Sequence, residues 1–214
     1  MKCFFLDMGV IIGYASYLES SFNIDSFAKP VIQFVNDYEN DEFITCHYIV
    51  DKDIPKFQKR RQIIRNEIRK KLRNPQYEIQ SEELHPKDIE WGNKIYELKD
   101  KLSGGELQVF QLLVQIDSTF DARIDYFLNN HIKNVVVPIE TIDETLRVHF
   151  QSIIKNRSDA HIIASAIQYN TIKPIHVVTT DKGDFWKLQK LLELDYKLSQ
   201  KYKAPKVSFI KDLI

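Results

Sequence analysis

Two short apolar runs that each end on an aspartate constrain this chain most: Lys2-Cys3-Phe4-Phe5-Leu6 stops at Asp7, and Pro174-Ile175-His176-Val177-Val178-Thr179-Thr180 stops at Asp181. Runs this short, apolar at consecutive rather than alternate positions, are buried on both faces, the pattern of strands inside a parallel sheet. Both aspartates are therefore expected where strand gives way to loop, the edge at which such sheets hold their ligands. A third, Asp159, opens the apolar stretch Ala160-His161-Ile162-Ile163-Ala164-Ser165-Ala166. Carboxylates gathered at one edge, with no cysteine or histidine pattern beside them, suit a hard, oxygen-seeking cation such as magnesium or manganese.

Further strand candidates are Glu42 to Cys46, Asn134 to Ile139 and Lys206 to Ile210, added to Lys2 to Leu6 and Ile175 to Thr180. Helical spacing of Ile54, Phe57, Ile63, Ile64, Ile68 and Leu72 predicts a helix that Asn74-Pro75 stops. Thr141 to Ile154 reads as a second helix, with Thr141 as N-cap of a Thr141-Ile142-Asp143-Glu144 capping box, and Ser158 or Asp159 begins a third. Strands alternating with helices predict an α/β fold, a parallel doubly wound sheet with helices on both faces. The interval from Gln76 to Asn130 holds no convincing strand, and Leu107 to Leu128 reads as an amphipathic helix. The expected organisation is one domain over residues 1–214 with a helical insertion at about 76–130.

Thirty basic residues offset thirty acidic ones, so total charge points to no nucleic-acid or membrane partner, and distribution must decide. Two cysteines, Cys3 and Cys46, make no disulfide framework. The N-terminus lacks a basic segment leading into a long apolar region, and no stretch approaches a membrane span, so a cytoplasmic location is expected.

Phe5-Leu6-Asp7-Met8-Gly9-Val10-Ile11-Ile12, Asp159-Ala160-His161-Ile162-Ile163-Ala164-Ser165-Ala166 and Thr179-Thr180-Asp181-Lys182-Gly183-Asp184-Phe185, in this order, resemble the PIN-domain family. That resemblance implies a three-layer α/β/α unit with a central, mostly parallel sheet. It also implies magnesium- or manganese-dependent ribonuclease activity, as in the toxins of toxin-antitoxin pairs and in RNA-processing enzymes. The family's acids fall on Asp7, Asp159 and Asp181, with Asp184 matching a further acid of the last motif. Its second acid, usually a glutamate just after the second strand, falls on Asp51 or Asp53, with Asp51 preferred. Gly9 stands where the family commonly carries a small hydroxyl or amide residue.

The chemistry has its own logic. A phosphodiester is anionic, and only a cation lets carboxylates approach it; one or two ions about 4 Å apart activate water and stabilise the leaving oxygen. Asp7, Asp159 and Asp181 are the expected metal ligands, and Asp51 and Asp184 are expected to reach a second ion or orient the attacking water. Thr180 is a candidate for binding substrate phosphate. Lys56, Lys59, Arg60, Arg61, Arg65, Arg69, Lys70, Lys71 and Arg73 are opposed within their segment only by Glu67, a surface that attracts a phosphate backbone. Lys59, Arg60 and Arg61 are the preferred RNA contacts, and Tyr48 and Phe57 are candidates for stacking a base. Partners expected beside RNA are an antitoxin or other regulatory protein and a second copy of the chain. Two other readings are a catalytically silent RNA- or protein-binding module and a DNA nuclease.

Leu102-Ser103-Gly104-Gly105-Glu106-Leu107-Gln108 resembles the signature segment of ABC-type ATPases, but without a Gly-x-x-x-x-Gly-Lys-Ser/Thr loop it has no mechanism, and a helix start near Ser103 explains it. The six histidines show no zinc spacing.

Overall fold

The structure is a computed structural model that describes residues 1–17, 26–183 and 185–214. Five strands, β1 (Cys3–Leu6), β2 (Glu42–Cys46), β3 (Ile132–Val136), β4 (His176–Thr179) and β5 (Lys206–Phe209), form one all-parallel sheet in the order β3-β2-β1-β4-β5. The consecutive apolar residues of β1 and β2 are buried along their whole length, as a sheet covered on both faces requires. The covering helices are α1 (Met8–Ala15) and α2 (Ala28–Asp37), which pack together, and α6 (Glu144–Ile153) and α7 (Arg157–Asn170), which do the same. The result is a three-layer α/β/α fold. Phe4, Phe34 and Phe43 form an aromatic cluster at the sheet face, with ring centroids 5.3 to 6.0 Å apart. Each buried phenylalanine contributes on the order of 2 kcal/mol or more.

The chain divides into two compact units, Met1–Ile54 with Arg123–Ile214, and Pro55–Ala122. The first holds the sheet. The second is helical, built on α3 (Ile54–Arg73), α4 (Pro86–Glu97) and the first part of α5 (Gly105–Asn130), so it takes in the basic helix together with most of the 76–130 interval. Its core is apolar: Ile64, Ile68, Leu72, Ile79, Ile95, Val109 and Phe120 are all buried. Glu67 is buried there too, accepting hydrogen bonds from Lys70 Nζ (2.7 Å), Tyr77 Oη (2.6 Å) and the Gln80 amide (3.3 Å). The last two short helices, α8 (Leu188–Glu193) and α9 (Tyr196–Lys201), connect β4 to β5.

Beyond shifts of one or two residues at element ends, three features differ from the sequence reading. The third strand runs from Ile132 to Val136 rather than from Asn134 to Ile139, because Val137 takes a positive φ of 54° and breaks the extended backbone. The N-cap of α6 is Asp143, not Thr141: its carboxylate accepts from the Thr145 and Leu146 amides at 2.9 and 3.1 Å. Asn156, not Ser158 or Asp159, caps α7, accepting from the Ser158 amide at 3.1 Å. No described helix is long and apolar enough to cross a membrane.

Candidate active site

The strand order carries the first argument. From β1 the chain moves to β2 and β3 on one side, and from β4 to β5 on the other, so the direction of progression reverses between the neighbours β1 and β4. The crevice beyond the carboxyl ends of two such strands is the ligand position of an open parallel sheet. Asp7 follows β1 and Asp181 follows β4 by two residues, which places both there.

Asp7 does not lead into a loop; it is the N-cap of α1, accepting from the Met8 amide at 2.7 Å through Oδ1. Its Oδ2 accepts from the buried Thr179 hydroxyl at 2.8 Å, and that hydroxyl in turn accepts from the Asp181 amide at 2.9 Å. Thr179 therefore ties the two aspartates together, one by side chain and one by backbone. Asp7 is only 7% exposed, and burial pushes its carboxyl up to about 6. The Thr179 and Met8 hydrogen bonds oppose that rise, while the charges of Asp181 and Asp53 add to it. Asp181 is exposed and closes a turn, its Oδ1 accepting from the Gly183 amide at 2.8 Å.

Gly9 has a steric reason in this chain. A Cβ built there lies 2.0 Å from Thr180 Oγ1, so the Thr180 hydroxyl occupies the space that a side chain at position 9 would fill. Thr180 is half-buried, its backbone directly following β4.

Of the two acids after β2, the fold buries Asp53 and not the expected Asp51. After β2 the backbone turns helical at once and passes through one wide π-helical turn, Ile49–Asp53, in which Ile49 and Asp53 face inward and Asp51 faces water. Asp51 pairs with the half-exposed His47, Nδ1 to Oδ2 3.1 Å. Asp53 is 7% exposed, accepts a hydrogen bond from the Ser158 hydroxyl of α7, and adds its charge to the field at Asp7. A spacing of four from the apolar Ile49 was the available signal for Asp53; nothing local marks Ser158 as its partner.

Asp159, the neighbour of Ser158, lies in the first turn of α7, where the helix dipole favours a carboxylate, and accepts from Asn156 Nδ2 at 2.8 Å. Asp184 lies outside the described residues. Tyr48 stacks on His161, centroids 4.3 Å apart and planes 12° from parallel, and His161 also bonds the Arg157 carbonyl through Nδ1 at 2.7 Å.

Asp7, Asp53, Asp159 and Asp181 offer oxygen alone, the donor chemistry of a hard divalent cation, and positive charge there would favour the ionised Asp7 that burial chiefly, and the Asp181 and Asp53 charges in addition, disfavour. Among the described residues, however, no three His, Cys, Asp or Glu groups converge closely enough to hold an ion. Coordination by three protein side chains thus requires the carboxylates to turn toward one another or Asp184 to take part.

The expected RNA contacts on α3 are engaged within the helical unit. Arg61 is half-buried, 3.3 Å from Asp117 and 3.9 Å above the Phe120 ring; Arg65 meets the same Asp117 at 2.8 Å, and Arg60 meets Asp88 at 3.3 Å. Arg60 and Arg61 thus serve the unit's own packing, because a helix buried on one side must pair the cations it carries there. Lys59 pairs with Glu83 at 2.6 Å, but both are exposed, so water and salt screen that contact. Phe57 packs on Phe120, centroids 5.7 Å apart. Compared with protein-family models, characterised proteins and solved structures, the chain matches none of them.

Proposed function

We propose that the chain is a PIN-like metal-dependent endoribonuclease that hydrolyses RNA phosphodiester bonds with magnesium or manganese. The observation that supports this reading is the meeting of Asp7 and Asp181 at the reversal of strand order, with Asp53 adding its charge and Asp7 holding its proton up to about 6. Bound cation would supply a Lewis acid for the phosphate and an acidified water as nucleophile. In this reading Asp7, Asp159 and Asp181 hold it, and Asp53 takes the place expected of Asp51. Thr179 fixes the Asp7 carboxylate, Ser158 fixes Asp53, and the Thr180 hydroxyl beside Gly9 contacts substrate phosphate. Lys59 is the cation of the expected trio that remains open to RNA.

One observation favours a second reading, a catalytically silent RNA- or protein-binding module: no three metal-binding groups converge among the described residues. The two part company when a mixed pool of structured and single-stranded RNAs, with matched DNA, is incubated with wild type, Asp7→Asn, Asp53→Asn and Asp51→Asn under magnesium, manganese or chelator. The nuclease reading expects metal-dependent cleavage of RNA, a drop of about a thousandfold or more in the first two variants, and near-wild-type rates in the third. Full cleavage by Asp7→Asn would sink it; RNA binding without cleavage under any ion would install the second reading.

A further inference from the structure

The helical unit contains a cavity of about 240 Å³ between the last turn of α3 and the first turns of α5, lined by Arg69, Leu72, Arg73, Glu106, Leu107 and Phe110. Its walls are apolar and open to water: Leu107 is 67% and Phe110 38% exposed, and Val114, 45% exposed, continues the same stripe of α5 at the i, i+3, i+7 spacing of one helix face. The rim is cationic. Arg60, Arg61 and Arg65 of the same helix each meet an aspartate, whereas among the described residues neither Arg69 nor Arg73 joins an ion pair. Arg69 lies with its guanidinium carbon 4.9 Å from the Phe110 ring centre, and its buried Nε, like those of Arg60 and Arg65, has no hydrogen-bond partner. The helix dipole accounts for basic residues in the last turn of α3, but not for an apolar hollow and stripe beside them.

We propose that this hollow docks an acidic amphipathic helix of a partner protein, one apolar side chain seated between Leu72, Leu107 and Phe110 and its flanking carboxylates on Arg69 and Arg73. An apolar stripe with one anchor pocket is the receptor half of helix-in-groove recognition, and two guanidinium groups lacking carboxylates complement Asp or Glu. The apolar lining of Leu72, Leu107 and Phe110 suits an apolar side chain and not a phosphodiester, which separates this surface from a nucleic-acid groove. The proposal does not depend on the nuclease reading, since every residue in it belongs to the helical unit.

The test is to pan a random-peptide phage library against the full chain and measure the enriched peptides by fluorescence anisotropy on wild type, the double variant Arg69→Glu with Arg73→Glu, Leu107→Asp, and Lys87→Glu as an exposed charge control. Enriched sequences should carry an aliphatic or aromatic residue flanked by Asp or Glu, and lose about tenfold or more in affinity on the first two variants but not on the control. Leu107 is exposed, so that variant reads the pocket even if the arginine pair is needed for folding. Peptides without this pattern, peptides that bind Leu107→Asp as well as wild type, or a single-stranded RNA oligonucleotide that displaces them through the same arginines would each overturn the proposal.

Discussion

Asp7 and Asp143 do the same local work and carry opposite charge economies. Each caps a helix in the sheet-bearing unit by accepting backbone amides. Asp143 Oδ2 also accepts from Lys201 Nζ and Tyr202 Oη, both at 2.7 Å, and these bonds hold its carboxyl well below the usual carboxylate range. Asp7 has a hydroxyl where Asp143 has an ammonium, joins none of the ion pairs among the described residues, and is raised to about 6 by burial. The Asp143 cap is given a cation by its own chain. One left with neighbouring carboxylates instead is held at a cost to stability, and such costs concentrate where function requires them.

Substituting Asp7 breaks the comparison most sharply. Its folded pKa is raised from 3.8 to about 6, so the stability tied to its proton is present below the unfolded value and lost as pH rises through about 6. Asp7→Asn keeps an oxygen for the Met8 amide and removes the buried charge. It should stabilise the fold by up to about 3 kcal/mol at pH 8, at roughly 1.4 kcal/mol per pKa unit, with the gain gone near pH 4. Urea titrations at the two pH values check this, and a variant less stable than wild type at pH 8 would refute it. Asp143→Ala should do the reverse, losing about 2 kcal/mol near neutrality through the cap and its charge-assisted bonds. Because the Asp143 pKa is lowered, wild type's advantage is present above the unfolded value and declines as pH falls through the aspartate range; equal losses at pH 7 and pH 2 would contradict the linkage. Thr179→Val is the mildest change, costing about 1 kcal/mol. It removes a donor that lowers the Asp7 pKa, so the Asp7 titration followed by carboxyl carbon NMR should move above about 6; an unmoved titration would remove Thr179 from its positioning role.

The parallel sheet was legible because burial on both faces writes itself into sequence as unbroken apolar runs, and the aspartates ending β1 and β4 come with those runs. Asp53 was not, because Asp51 and Asp53 differ only in which side of a helical turn they occupy, and that turn is widened by one residue and fixed by Ser158 more than a hundred positions away. Caps failed for a related reason. Thr141 and Asp143 are both good cap residues, and the choice falls to Asp143 through Lys201, Tyr202 and the Gln168 side chain, which accepts from the Asp143 amide at 2.7 Å. The basic run on α3 showed its charge but not its use, since Asp88 and Asp117 lie far along the chain from the arginines they pair with.

The contact between Gly9 and Thr180 also bears on how this site can change by descent. A side chain at position 9 and the present Thr180 rotamer claim one volume, so residues far apart in sequence form a single unit of variation. A hydroxyl can enter the crevice from α1 or from the end of β4, and both at once require Thr180 to leave its present rotamer. A chain that moves from one arrangement to the other must pass through an intermediate with both residues small or with one displaced.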